Sequence, residues 1–207
     1  MRKNNGLMDL PNGIQCDVVE VCDYLAVSYL HTYNLLYENN IVLHDMHPKN
    51  VFIHWINDNS YFGSKNISNV TSIQYNIGSG KYLKMKNYGI ILKIGDIGGS
   101  IIHPKDNIYI LGQAVDLEKT HGLIKYLMDP RLAVGFLYYF KNNLPHSIYH
   151  KTIISKIISD YPYSELALGK VPYELLDKME DPTNILNKFT KYVTNNEKVT
   201  DDTLIVN

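Results

Sequence analysis

A chain of 207 residues has room for one domain, at about 150 residues each, and is long enough to fold without disulfide staples. Hydrophobic residues at 45% and charged residues at 20% exclude an intrinsically disordered chain. The balance of 20 Lys+Arg against 21 Asp+Glu, a net charge of −1, excludes a strongly basic nucleic-acid sleeve.

Two cysteines, Cys16 and Cys22, are too few for a disulfide scaffold and favour a reducing compartment. No apolar run reaches the roughly 18 residues of a membrane helix. The start, MRKNNGLMDLPNG, lacks the apolar stretch of a signal peptide. These features predict a cytoplasmic location with no membrane partner. The N-x-[ST] sequons at Asn66 and Asn69 read as chance in an Asn-rich chain.

In chain order, residues 1–13 are polar and end in the turn signal Pro11-Asn12-Gly13. From Asp17 to about Glu38, apolar residues recur at spacings of three and four (Val18, Val21, Leu25, Tyr29, Leu36). That predicts a helix, with Asp17 as its N-cap and Asn39-Asn40 as its end. Cys16 and Cys22 then read as thiols on or near this helix. Ile41-Val42-Leu43 reads as extended, residues 44–50 as a loop interrupted by Pro48, and residues 51–56 as a strand.

Residues 57–88 carry turn clusters around short Tyr/Ile/Val pieces and predict an inserted excursion, a hairpin in outline. Ile90–Ile94 reads as a strand and residues 95–99 as a tight turn. Helical spacing returns over 108–128, 131–143, 147–160, 172–179 and 182–193, punctuated by Pro130, Pro145, Pro162, Pro172 and Pro182. The tail from Thr194 reads as frayed until Leu204-Ile205-Val206. The 207 residues thus form a single domain with an insertion at 57–88 and a tail at 194–207.

One loop and one turn can carry chemistry. Asp45 and Asn50 lie five apart between two short extended pieces. Asp96-Ile97-Gly98 follows a β-branched strand, and Gly98 permits backbone angles closed to other residues. Carboxylate and amide oxygens are hard ligands suited to Mg²⁺, and a positioned Asp can accept a proton from a hydroxyl.

Leu43-His44-Asp45-Met46-His47-Pro48-Lys49-Asn50 resembles the H-R-D-L-K-P-x-N catalytic loop of the protein kinase superfamily. Asp96-Ile97-Gly98 resembles its D-F-G, and Asn107–Gly112 the D-x-[WY]-S-x-G start of a central helix. Residues 6–13 resemble the family's hinge. The resemblance runs from about residue 6 to 128, with the motifs in the family's order. It implies Asp45 as catalytic base, Asn50 and Asp96 as Mg²⁺ ligands, and Asn50, Asp96 and Gly98 around ATP.

The resemblance also implies a mainly α (α+β) fold, a kinase-like C-terminal lobe with a small β element and no N-lobe. No G-x-G-x-x-G loop and no strand Lys with its Glu partner stand in the sequence. The chain is similar to atypical kinases of large DNA viruses, whose AT-rich genomes favour the Asn, Ile, Lys and Tyr (17 Tyr) that abound here. The function implied is Mg·ATP-dependent phosphoryl transfer to protein Ser/Thr hydroxyls, with a separate N-lobe chain or another protein as partner. Two alternatives stand beside it. One is a non-catalytic pseudokinase-type binding module. The other is a small-molecule kinase of aminoglycoside or choline type, which the His47-Pro48 pair favours.

Bland readings cover the other candidates. His44, His47, His54 and His103 match no metal-ligand spacing and read as structural. Ser28 has no His or acid at catalytic spacing. Lys81, Lys84 and Lys86 read as a solvated basic face, with a nucleic-acid role the minority reading.

Overall fold

We describe residues 7–10, 13–42, 50–95, 101–102, 109–110, 133–159, 180–195 and 200–207 of a computed structural model. Strands β1 (Leu7–Asp9) and β2 (Gln15–Asp17) form an antiparallel hairpin in which Met8 faces Cys16. The segment read as a hinge therefore opens on this hairpin. Cys16 lies on β2 rather than on the helix, and its thiol meets the Met8 carbonyl at 3.6 Å.

Helix α1 (Val18–Glu38) is the axis of the fold. The Asp17 carboxylate accepts the Val19 N–H at 2.8 Å, satisfying one of the orphan donors of the first turn. At the other end both the backbone N–H and the side-chain amide of Asn39 donate to the Leu35 carbonyl. Asn40 then turns the chain at φ 57°, a conformation that Asn tolerates better than most residues. Burial runs almost without break from Val21 to Tyr33, including Asp23, Ser28 and His31. A helix buried on nearly all sides packs against elements around its whole girth.

On one side of α1 lies a four-stranded sheet made of β7 (Ser72–Asn76), β8 (Lys81–Lys86), β12 (Val193–Asn195) and β13 (Thr203–Val206), in the order β12-β8-β7-β13. β7 and β8 are the hairpin expected within 57–88, and a smaller hairpin, β5 (Tyr61–Phe62) with β6 (Lys65–Asn66), precedes them. The larger hairpin is not a free excursion. β12 pairs antiparallel with β8, and β13 pairs parallel with β7 in the register Leu204↔Ile73 and Val206↔Tyr75. The tail, read as frayed from Thr194 until Leu204, is already strand at Val193–Asn195 and is strand again at Thr203–Val206. Thr203 is buried and Leu204 nearly so, and the Lys65 ammonium donates to the Thr203 carbonyl at 2.6 Å.

On the other side pack α2 (Val134–Asn143), α3 (His146–Tyr149) and α4 (Ile153–Ser159), with α5 (Pro182–Leu186) near the C-terminal half of α1. The helix expected over 147–160 is thus two. Thr152, fully buried, separates them because its hydroxyl accepts the Ser155 N–H and so caps the second. The helix expected over 182–193 stops at Leu186. A 3₁₀ turn at Thr190–Tyr192 then leads into β12. Phe189, between them, is fully buried.

Tyr24, Leu30, Leu83, Ile90, Leu137, Ile154 and Phe189 belong to one continuous core. Tyr29 of α1 stacks on Phe136 of α2 with ring centroids 3.7 Å apart. The molecule is a mixed α+β protein. Its strands, counting the two pairs described below, make up far more than a small β element. Residues 172–179, also read as helical, lie outside the described residues.

Candidate active site

Two antiparallel strand pairs frame the loop and the turn singled out by sequence. β4 (Val51–Trp55) pairs with β9 (Ile90–Ile94), from Val51↔Ile94 to Trp55↔Ile90. β3 (Ile41–Val42) pairs with β10 (Ile101–Ile102), placing Val42 opposite Ile101. β10 also pairs with β11 (Tyr109–Ile110). The expected helix from 108 therefore begins as strand at residues 109–110, where the start of a central helix was read.

Asn50 sits immediately before β4 and is 7% exposed. Its carbonyl accepts the Gly95 N–H at 2.8 Å, which carries the β4–β9 ladder one step past Val51↔Ile94. The flanks of the two segments are therefore matched: Val42 lies against Ile101, and Asn50 against Gly95. The hydrogen-bonded neighbour of Asn50 is the residue that precedes Asp96 in the chain. Asp45, Asp96 and Gly98 themselves lie outside the described residues, as do His44, His47 and His103.

Gly95 lies under the Phe52 ring, and a Cβ placed there would require that exposed ring to shift. The Phe52 ring thus lies across the backbone of Gly95, while 54% of the residue is exposed. Ile53 and Trp55 on the same strand are 51% and 38% exposed. Sequence reading treats residues 51–56 as one apolar strand and gives no hint that three of them face outward. The only signal is the brevity of the partner set, because a two-stranded ribbon has too little surface to cover both faces of its residues.

The remaining sequence candidates are structural. The Ser28 hydroxyl shares a 2.5 Å hydrogen bond with the Tyr75 hydroxyl in the core, where no nucleophile is accessible. Burial pushes the Tyr75 hydroxyl far above its ordinary pKa, so this pair stays protonated. Lys84 and Lys86 share one face of β8 by strand alternation, whereas Lys81 falls on the other, so the three do not form one basic cluster. Lys86 lies over the Tyr88 ring at 5.8 Å. His54 faces Ile91 across the β4–β9 pair. Among the described residues no three His, Cys, Asp or Glu side chains converge as a metal site. No described helix is long and apolar enough to cross a membrane.

Comparisons with protein-family models, with curated proteins and with solved structures found no match.

Proposed function

We propose that the chain is a protein kinase-like phosphotransferase that moves a phosphoryl group from Mg·ATP to a Ser/Thr hydroxyl of a protein. The observation that supports this reading is the Gly95 N–H to Asn50 carbonyl hydrogen bond at 2.8 Å. It joins the last residue of one motif to the residue that precedes the other in the chain, although 45 positions of sequence numbering separate them. Asp45 takes the acceptor hydroxyl's proton as the new P–O bond forms and the bond to the ADP oxygen breaks. Asn50 and Asp96 supply the oxygen donors for Mg²⁺. A buried Asn amide at a strand start, and the carboxylate that follows Gly95 in the chain, fit the preference of that ion for hard oxygen ligands. Bound Mg²⁺ neutralises charge on the phosphate oxygens. The exposed Phe52 ring over Gly95 offers a flat apolar face on which a nucleobase can stack.

A second reading, a binding module without catalysis, is favoured by the same exposed residues Phe52, Ile53 and Trp55. Exposed apolar side chains on both faces of one strand, Phe52 on one and Ile53 and Trp55 on the other, suit a protein partner, such as a separate N-lobe chain. A cytoplasmic location is compatible with either reading.

A thermal melt of the purified chain with and without Mg·ATP separates the two. At about 100 times its Kd, a ligand stabilises by roughly 2.7 kcal/mol, a Tm rise of about 5–10 °C for a chain of this size. The enzyme reading expects that rise, its dependence on Mg²⁺ and its loss in Asp96→Ala. It also expects Asp45→Asn to lower phosphotransfer at least about 100-fold with the melt unchanged. No shift at millimolar Mg·ATP rejects the nucleotide site in this chain and leaves the binding module.

A further inference from the structure

Helix α3 and the residue that caps its end carry two histidines outside every site considered above. His146 opens α3, and His150 follows it by one helical turn, its N–H bonded to the His146 carbonyl at 3.1 Å. Residues four apart on a helix lie one above the other. Here the two Nε2 atoms meet at 2.7 Å, with ring centroids 3.9 Å apart and planes at 68°. Both residues are exposed.

This separation suits a hydrogen bond in which one Nε2 donates and the other accepts, the roles set by the tautomer. A cation that accepts from both nitrogens can take the place of the shared proton. Two imidazole nitrogens at about 2.0 Å from a metal stand about 2.8 Å apart when they are cis in a square plane, and about 3.3 Å apart at a tetrahedral angle. The observed 2.7 Å matches the square-planar arrangement, which Cu(II) and Ni(II) adopt and Zn(II) does not.

The backbone under the pair is already held. Tyr149 is buried, and its carbonyl accepts the hydroxyl of the fully buried Thr152 at 2.7 Å. The Ser155 hydroxyl donates to the His150 carbonyl at 3.3 Å. Little ordering therefore remains to oppose binding.

We propose that His146 and His150 form a two-imidazole chelate for Cu(II), exposed along the single turn of α3 and independent of the phosphotransferase reading. No third His, Cys, Asp or Glu converges on it among the described residues, so water completes the coordination there.

The test is titration of the full chain with Cu(II) against glycine as competing chelator, read by affinity and by electron paramagnetic resonance. The wild type is expected to hold one Cu(II) with two equatorial nitrogens at this site, and to prefer Cu(II) over Ni(II) over Zn(II). His146→Ala and His150→Ala should each weaken binding at least about 10-fold, because a chelate's second ligand binds at high effective concentration. His150→Gln, which keeps a polar helix-compatible side chain, should do the same, and the melts of all three should match the wild type because both positions are exposed. Unchanged affinity and spectrum in these variants, or no binding by the wild type at micromolar Cu(II), overturns the proposal.

Discussion

A chain that stops at Val199 is expected to lose roughly 5 kcal/mol of stability, a large part of the whole for an ordinary domain. The loss comes from β13. Leu204 is 6% exposed, and burial of such a side chain contributes about 2 kcal/mol. The parallel ladder from Thr203↔Ser72 to Val206↔Tyr75 adds hydrogen bonds of about 1 kcal/mol net each. The Asp202 carbonyl also accepts the Thr71 N–H at 2.8 Å, and the Lys65 ammonium would lose its carbonyl acceptor.

Urea unfolding of the two chains measures this effect. Leu204→Ala serves as the milder variant, expected to cost about 2–4 kcal/mol. A tail without an ordered strand would instead be dispensable. A truncated chain within about 0.5 kcal/mol of the parent, the scatter of ordinary surface changes, would show that β13 contributes nothing.

The second large effect lies at Asp23, a carboxylate 1% exposed in the second turn of α1. One oxygen accepts the Ile153 N–H, in the first turn of α4, and the other accepts the Tyr192 hydroxyl, each at 3.1 Å. Asp23 thus ties α1 to α4 and to the 3₁₀ turn before β12. Asp23→Ala leaves two part-buried donors without partners and should cost about 2–4 kcal/mol.

Burial pushes the Asp23 carboxyl up to about 6, and the two hydrogen bonds and nearby Lys191 pull it only part of the way back. The folded state therefore holds this proton more tightly than the unfolded chain does. Between the unfolded carboxyl range near pH 4 and the folded value near 6, the native state binds more protons, so this group's contribution to stability falls as pH rises. Asp23→Asn keeps an acceptor for the Ile153 N–H and removes the titration. Relative to that variant, the wild type should gain roughly 1 kcal/mol between pH 7.5 and pH 5. Parallel denaturation curves at the two pH values decide it. A wild-type-minus-variant difference that is flat with pH would place the carboxyl at its ordinary value.

Elements whose determinants are local were legible in the sequence. The boundaries of α1 follow from Asp17 at one end and Asn39-Asn40 at the other, and both caps act within four residues. β4, β9 and the hairpin within 57–88 follow from runs of β-formers between turn clusters. Elements decided by distant partners were not legible. Ile185, Leu186, Phe189 and Tyr192 fit helical spacing, yet the edge of β8 captures the following Val193–Asn195. Tyr109-Ile110 fit a helix start, yet β10 holds them as strand. Leu204-Ile205-Val206 are visibly apolar, but nothing local says that β7 awaits them.

The candidate site divides in the same way. The residue types of Asp45, Asn50 and Asp96-Ile97-Gly98 stand in the sequence, whereas the Asn50–Gly95 pairing and the outward face of Phe52 are tertiary facts.

The parallel pairing of β13 with β7 also bears on how the chain reaches its native state. Its partners are 131 residues apart, as in Thr203 with Ser72, and closing so long a loop must precede any reward from the pairing. During synthesis from the N-terminus, the β7–β8 hairpin forms early and keeps an open strand edge until residues 203–206 emerge. An edge left unpaired that long is a template for other chains. Aggregation during expression should therefore concentrate on the nascent chain, and adding the β13 sequence as a separate peptide should relieve it in the truncated protein.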